Sequence, residues 1–307
     1  MKGLELSRMY FEECGRNIFK KEFPEIFPRM AFGLAGEGSD CFGFDDCISR
    51  DHDWGPSFCI WMEEEDFIRY GQKVQEVYDS LPQSFYGYPV KPCFTQGGKR
   101  AGVLCLEDWY RQYTGTAEGP QSFSEWRRIP EHFLAAATNG EVFLDNGKKF
   151  SRIRGYLLSY YPEDIRLKKI VYQASVMAQS GQYNYPRCAY RDDAVAASLA
   201  LSRFMEAGLS MIYLLNKRYA PFYKWMYKGI LGLPVLKSVR SLFLALMEKG
   251  DYAARRMLIE QICLLVSGEL CRQGLSDCKD SFLLNHCSSI MDRIQDSTLR
   301  ASHVMVP

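Results

Sequence analysis

GLAGEGSDCFGFDDCISRDHDWGP, residues 33–56, is the stretch on which the reading of the fold turns. A short apolar run from Met30 to Ala35 leads straight into Gly36-Glu37-Gly38-Ser39, the pattern of a strand that delivers the chain into a tight loop. Asp51 and Asp53 follow Ser39 after eleven intervening residues. Side chains alternate along an extended segment, so Asp51 and Asp53 share one side and His52 takes the other. Two carboxylates on one side are hard oxygen ligands of the kind that Mg²⁺ or Mn²⁺ prefers. Gly36 and Gly38 let the backbone approach a ligand closely, and the N–H groups there can cradle phosphate oxygens together with the Ser39 hydroxyl. A chain of this length holds about one Asp-x-Asp by chance, so the weight rests on its distance from the Gly-Ser loop.

Upstream, Tyr10, Cys14 and Ile18 recur every four residues and predict an amphipathic helix over Leu4–Lys21, stopped near Pro24 and Pro28. Ser57–Met62, Gly102–Leu106 and Glu141–Leu144 read as strands, and Glu63–Leu81 as a helix. Beyond about Phe150 the strand signals fade. Helical patterns follow over Pro162–Gln179, Asp192–Lys217, Leu236–Lys249 and Tyr252–Cys271. The expectation is an α+β chain, with an α/β domain holding a mixed sheet over 1–150 and an α-helical domain over 151–307.

The 38 Lys and Arg nearly balance the 37 Asp and Glu, which argues against a long basic surface and favours a small phosphorylated ligand over a duplex. The eleven cysteines lack paired Cys-x-x-Cys spacing, so reduced and mostly buried thiols are expected rather than a zinc site. The first residues carry no signal-peptide pattern, which makes the cytoplasm the default compartment. Ala194–Leu215 is apolar but contains Arg203 and Glu206 and reads as a buried helix rather than a membrane span.

With Gly38-Ser39 and Asp51-His52-Asp53 in place, the segment resembles the nucleotidyltransferase superfamily related to DNA polymerase beta. The longer string Gly-Glu-Gly-Ser, Gly-Phe-Asp-Asp and Ser-Arg-Asp-His-Asp-Trp-Gly-Pro resembles a bacterial branch of uncharacterised nucleotidyltransferase-like proteins with a helical C-terminal domain. That resemblance extends to Gln182-Tyr183-Asn184-Tyr185 and Leu214-Leu215-Asn216. It implies transfer of a nucleoside monophosphate from an NTP, ATP in the first instance, to a hydroxyl of a small-molecule or protein acceptor. Asp51 and Asp53 would hold Mg²⁺ or Mn²⁺ for a two-metal in-line displacement, and Gly38 and Ser39 would lie against the triphosphate. Active members add a third acid from a later strand. Glu107, at the end of GVLCL, is the first choice as catalytic residue and metal ligand, and Asp108 the second. Without an acid beside the pair, the same fold would serve as a nucleotide-binding regulatory module. No membrane or nucleic-acid partner is expected.

Other conspicuous residues have plainer readings. His52 is read as structural, and Arg50 meets either a phosphate or Asp45 or Asp46. Tyr183–Arg187 reads as a capping loop, and Lys217 and Arg218 complement the negative end of a helix dipole. The aromatic run Tyr219–Tyr227 reads as core.

Overall fold

The computed structural model describes residues 1–50, 54–95, 98–248 and 250–307. The chain divides into two compact units, Met1–Ser159 and Tyr160–Pro307. The class is α+β, with a small mixed sheet and many helices.

Unit 1 opens with α1 (Gly3–Tyr10), a π-helical turn over Phe11–Gly15 and α2 (Arg16–Glu22). The single helix read from the sequence is thus interrupted by a wider turn. A Cβ on Gly15 would lie 2.8 Å from the Phe58 ring, so the glycine lets the helix settle on that ring. The chain then forms β1 (Ala31–Leu34), β2 (Cys59–Met62) and α3 (Glu64–Asp79). Two small hairpins follow, β3 (Ser84–Phe85) with β4 (Tyr88–Pro89), and β5 (Phe94–Thr95) with β6 (Gly98–Lys99). The unit closes with β7 (Gly102–Cys105), α4 (Leu106–Thr114), α5 (Phe123–Arg128), α6 (Glu131–Thr138), β8 (Glu141–Asp145) and α7 (Lys149–Leu158).

The main sheet has the order β7-β2-β1-β8. β1 runs antiparallel to both β2 and β8, whereas β2 and β7 are parallel. Gly33 lies opposite Cys59, and Cys59 opposite Gly102. One edge of the sheet therefore gathers the end of β1 with the starts of β2, β7 and β8. The other edge gathers the ends of β2, β7 and β8 with the start of β1. The core strands β1 and β2 are buried at every position and read as continuous apolar runs rather than alternating ones. Phe58, fully buried just ahead of β2, meets the rings of Tyr10, Phe11, Phe19, Phe32 and Tyr78. That contact joins the opening helix, the sheet and α3 in one apolar cluster.

Unit 2 consists of α8 (Glu163–Met177), α9 (Tyr185–Tyr190), α10 (Ala194–Leu215), α11 (Tyr223–Gly229), α12 (Val239–Glu248), α13 (Tyr252–Arg272), α14 (Cys287–Met291) and α15 (Ser297–Ala301). The loop read over Tyr183–Arg187 is instead helical: a π-helical turn over Ala178–Asn184 runs directly into α9. Pro186 is the second residue of α9, directly after the wide turn. A Cβ on Gly181 would lie 2.3 Å from the Phe204 ring, so the wide turn and α10 approach closely. Among the described residues α10 is the one helix long and apolar enough to cross a membrane, and half of its apolar window is buried inside the protein. All eleven cysteines are free, five of them buried.

Phe58→Ala empties the centre of the aromatic cluster. It is expected to cost about 3–5 kcal/mol, read as a lower urea midpoint at unchanged slope. A midpoint within experimental scatter of wild type contradicts the packing described.

Candidate functional site: a glycine loop at the sheet edge

The loop that follows β1 is shaped by what it touches. Gly36 has φ +126°, a conformation side chains rarely adopt. Its backbone is held on both sides by one side chain: its N–H donates to Asn139 Oδ1 at 2.9 Å, and Asn139 Nδ2 donates to its carbonyl at 2.6 Å. Asn139 and Gly140 lead into β8, and Gly140 N–H donates to the Cys41 carbonyl at 2.9 Å. The close approach needs glycine on both partners. A Cβ on Gly33 would lie 2.4 Å from the Glu141 carbonyl oxygen, and one on Gly140 only 1.9 Å from that of Leu34. The β1–β8 register shifts between Phe32 and Gly33. Beneath this junction, Arg154 Nη2 from α7 donates to the carbonyls of Thr138, Asn139 and Gly140 at 2.7, 3.1 and 3.3 Å.

Gly38 is required by its neighbour. A Cβ there would lie 2.0 Å from Asp40 Oδ1. Asp40, 1% exposed, accepts from Cys41 N–H at 2.9 Å and faces the 3%-exposed Lys91, whose Nζ is 3.5 Å from Oδ2. Arg100 Nη2 lies 3.3 Å from Glu37 Oε2, and both side chains keep contact with solvent. Lys99 donates to Gln75 Oε1 at 2.8 Å, and burial pulls its ammonium below the usual lysine range. Ala35–Gly38, Lys91, Lys99, Arg100, Trp109 and Tyr113 line a small, open depression. The Ser39 hydroxyl and the N–H groups of Glu37 and Ser39 have no hydrogen-bond partner among the described residues. Donors on a glycine-bent backbone beside cations are an arrangement that receives anionic oxygens. The thiols beside the loop are passive, since burial raises Cys41 far above its ordinary value and Cys59 to about 12.

Gly38 and Ser39 thus lie where the sequence places them, in the loop leaving β1. Asp51 and Asp53, with His52, lie outside the described residues. Glu107, the first choice of third acid beside Asp51 and Asp53, lies away from that loop. Glu107 is in the first turn of α4, past the end of β7, at the opposite edge of the sheet. The four residues of β7 separate the two edges, about 13 Å at roughly 3.3 Å per residue. There its carboxylate accepts from Glu64 N–H at 2.9 Å and from Lys149 Nζ at 2.6 Å. Burial alone would raise the carboxyl, but the Lys149 hydrogen bond and charge prevail and hold it below the usual range. Asp108, the second choice, starts the same helix and pairs with Arg111 at 2.6 Å. The residues that sequence reasoning missed are Asn139, Arg154 and Lys91. The Asn139-Gly140 pair ahead of a strand was the available signal for the first, as a turn.

The described residues do not by themselves furnish a metal centre. No three of His, Cys, Asp and Glu gather among them, and the acids nearest the loop, Glu37 and Asp40, are committed to Arg100 and Lys91. A divalent ion would depend on Asp51 and Asp53, with substrate oxygens and water completing its shell, a mode Mg²⁺ commonly uses.

A family model described as a domain of unknown function, DUF4037, matches residues 126–226. That segment includes Asn139, Gly140 and Arg154 but not the glycine loop they hold. No curated protein and no solved structure matches the chain.

Two substitutions test this account of the two sheet edges. Lys91→Met leaves Asp40 buried without its counter-charge and is expected to destabilise unit 1 by about 3–5 kcal/mol, with Lys91→Met/Asp40→Asn recovering much of the loss. An equal loss in the double variant refutes the pairing. Because the folded-state pKa of Glu107 is depressed, its contribution is present above the unfolded-state value and disappears as pH falls through the folded one. Glu107→Gln should therefore cost about 1–3 kcal/mol at neutral pH and flatten the acid limb of the stability profile. An unchanged acid limb counts against the Lys149–Glu107 pair.

Proposed function

We propose that the chain is a metal-dependent nucleotidyltransferase that moves a nucleoside monophosphate from an NTP, ATP in the first instance, to a hydroxyl of a small-molecule or protein acceptor. The observation that carries the reading is the Gly36–Ser39 loop, braced by Asn139 and faced by Lys99 and Arg100. Its bent backbone and the Ser39 hydroxyl supply donors for phosphate oxygens, and the cations offset the triphosphate charge. The cations divide by burial. Lys91 is committed to Asp40 and shapes the loop, whereas Arg100 shares its solvent-exposed carboxylate partner and can exchange Glu37 for a phosphate.

Asp51 and Asp53 are the proposed Mg²⁺ or Mn²⁺ ligands, through which the ion would activate the acceptor hydroxyl and neutralise departing pyrophosphate. The chain's own part is to fix the triphosphate: Ser39 and the Glu37 and Ser39 N–H groups orient its oxygens, and Trp109 and Tyr113 wall the depression on the α4 side. A second reading, a nucleotide-binding regulatory module without turnover, is favoured by the position of Glu107 and Asp108 at the far edge of the sheet.

Calorimetric titration with the four NTPs in Mg²⁺, followed by transfer of α-labelled nucleotide, separates these readings. Wild type should bind an NTP. Lys99→Met or Arg100→Met should weaken binding about 10- to 100-fold, the loss of one charge-assisted hydrogen bond of roughly 1.5–3 kcal/mol. Asp51→Asn/Asp53→Asn should abolish the metal dependence. Binding without label transfer to any acceptor supports the regulatory module, and no binding by folded wild type contradicts both.

A further inference from the structure

The glutamine amides of unit 1 find partners close by. In α3, Gln72 Nε2 donates to Glu76 at 3.0 Å and Gln75 Nε2 to Asp79 at 2.8 Å, each pair one helical turn apart. Gln83 and Gln121 donate to main-chain carbonyls. Gln112, exposed in the last turn of α4, differs. Asp108, the acid one turn before it, is engaged by Arg111 at 2.6 Å. The Gln112 carboxamide has no hydrogen-bond partner among the described residues.

Gln112 lines the depression beside the glycine loop, together with Trp109 and Tyr113. Three and four residues after Trp109, Gln112 and Tyr113 share a face of α4 with it. Trp109 and Tyr113 are largely covered, whereas Gln112 stands in solvent. The lining is divided by charge. Glu37, Lys91, Lys99 and Arg100 belong to its other sides, and the α4 side carries no charged group among the described lining residues. A nucleotide is divided in the same way, with its charge on the phosphates and none on the base. With the phosphates on the glycine loop and its cations, the α4 side is the one suited to the base, and there the Gln112 carboxamide is the uncommitted polar group.

We infer that Gln112 selects the nucleobase, and that the base it selects is adenine. A carboxamide sets an acceptor beside a donor. Along the N7 edge of a purine, adenine answers with the N6 donor and the N7 acceptor. Guanine presents O6 and N7, two acceptors, which leaves Gln112 Oε1 opposite another acceptor. Pyrimidines have no such edge and a smaller face to lay against α4. The inference rests on the triphosphate reading of the Gly36–Ser39 loop and adds to it the side chain that tells ATP from GTP.

The test is calorimetric titration of the full chain in Mg²⁺ with ATP, GTP and 7-deaza-ATP, in which a C–H group replaces N7. Wild type should bind ATP about 5- to 100-fold more tightly than GTP, the range of one bidentate amide–adenine contact. The deaza analogue should lose part of that advantage. In Gln112→Ala, ATP should fall to the affinity of GTP, and the deaza analogue should bind as ATP does. Gln112 is exposed and alanine favours a helix, so unaltered thermal unfolding checks the fold. Equal binding of ATP and GTP by wild type overturns the inference, and so does a preference for ATP that survives in Gln112→Ala. If Lys99→Met still weakens binding in either case, the phosphate site stands without this base contact. No binding of any nucleotide by folded wild type overturns both.

Discussion

The two hydrogen bonds between the Asn139 carboxamide and the backbone of Gly36 join the end of β1 to the start of β8, and the geometry of the sheet edge depends on them. A side-chain amide offers both an N–H donor and a carbonyl acceptor, so it pairs with a single residue's N–H and C=O as a neighbouring strand would. The register shift at Gly33 ends regular β pairing here, and Asn139 replaces it where the loop must bend. Arg154 then fixes Asn139 by gathering three successive carbonyls around one guanidinium nitrogen. Each of these polar contacts is worth about 1 kcal/mol net, but leaving such groups buried and unpaired costs more. The loop is consequently held open by the fold before any ligand arrives, which lowers the entropy cost of binding one.

Much of unit 1 was legible in the sequence because its strands announce themselves as short apolar runs bounded by glycine. Met30–Ala35, Ser57–Met62 and Glu141–Leu144 each fall on a strand of the main sheet. α4 and α6 were not legible. Leu106–Thr114 follows β7 without any turn residue, so the helical start at Glu107 was read as the end of a strand. Strand order, with β2 and β7 parallel, places Cys105 and the start of α4 at the far edge, from which α4 brings Trp109 and Tyr113 back beside the loop. The loop itself was legible as Gly36-Glu37-Gly38-Ser39, whereas its supports were not. Asn139 and Arg154 lie more than a hundred residues further along, and nothing local marks a long-range hydrogen bond.

Unit 2 shows the same contrast between period and context. Its long helices, from Glu163 to Met177 and from Tyr252 to Arg272, fall on the segments read as helical. The π-helical turn at Ala178–Asn184 escapes such a reading because a single wide turn only rotates the pattern that follows. Gly181 marks it in retrospect, through its close approach to Phe204.

The Gly36–Ser39 loop is proposed to receive the phosphates of a nucleotide. Hydrogen exchange of the backbone amides, measured with and without ATP and Mg²⁺, tests it at the residues concerned. Slowed exchange at Glu37 and Ser39, lost in Asn139→Ala, is the predicted result. Unchanged exchange at these amides under conditions where the nucleotide binds would contradict the claim.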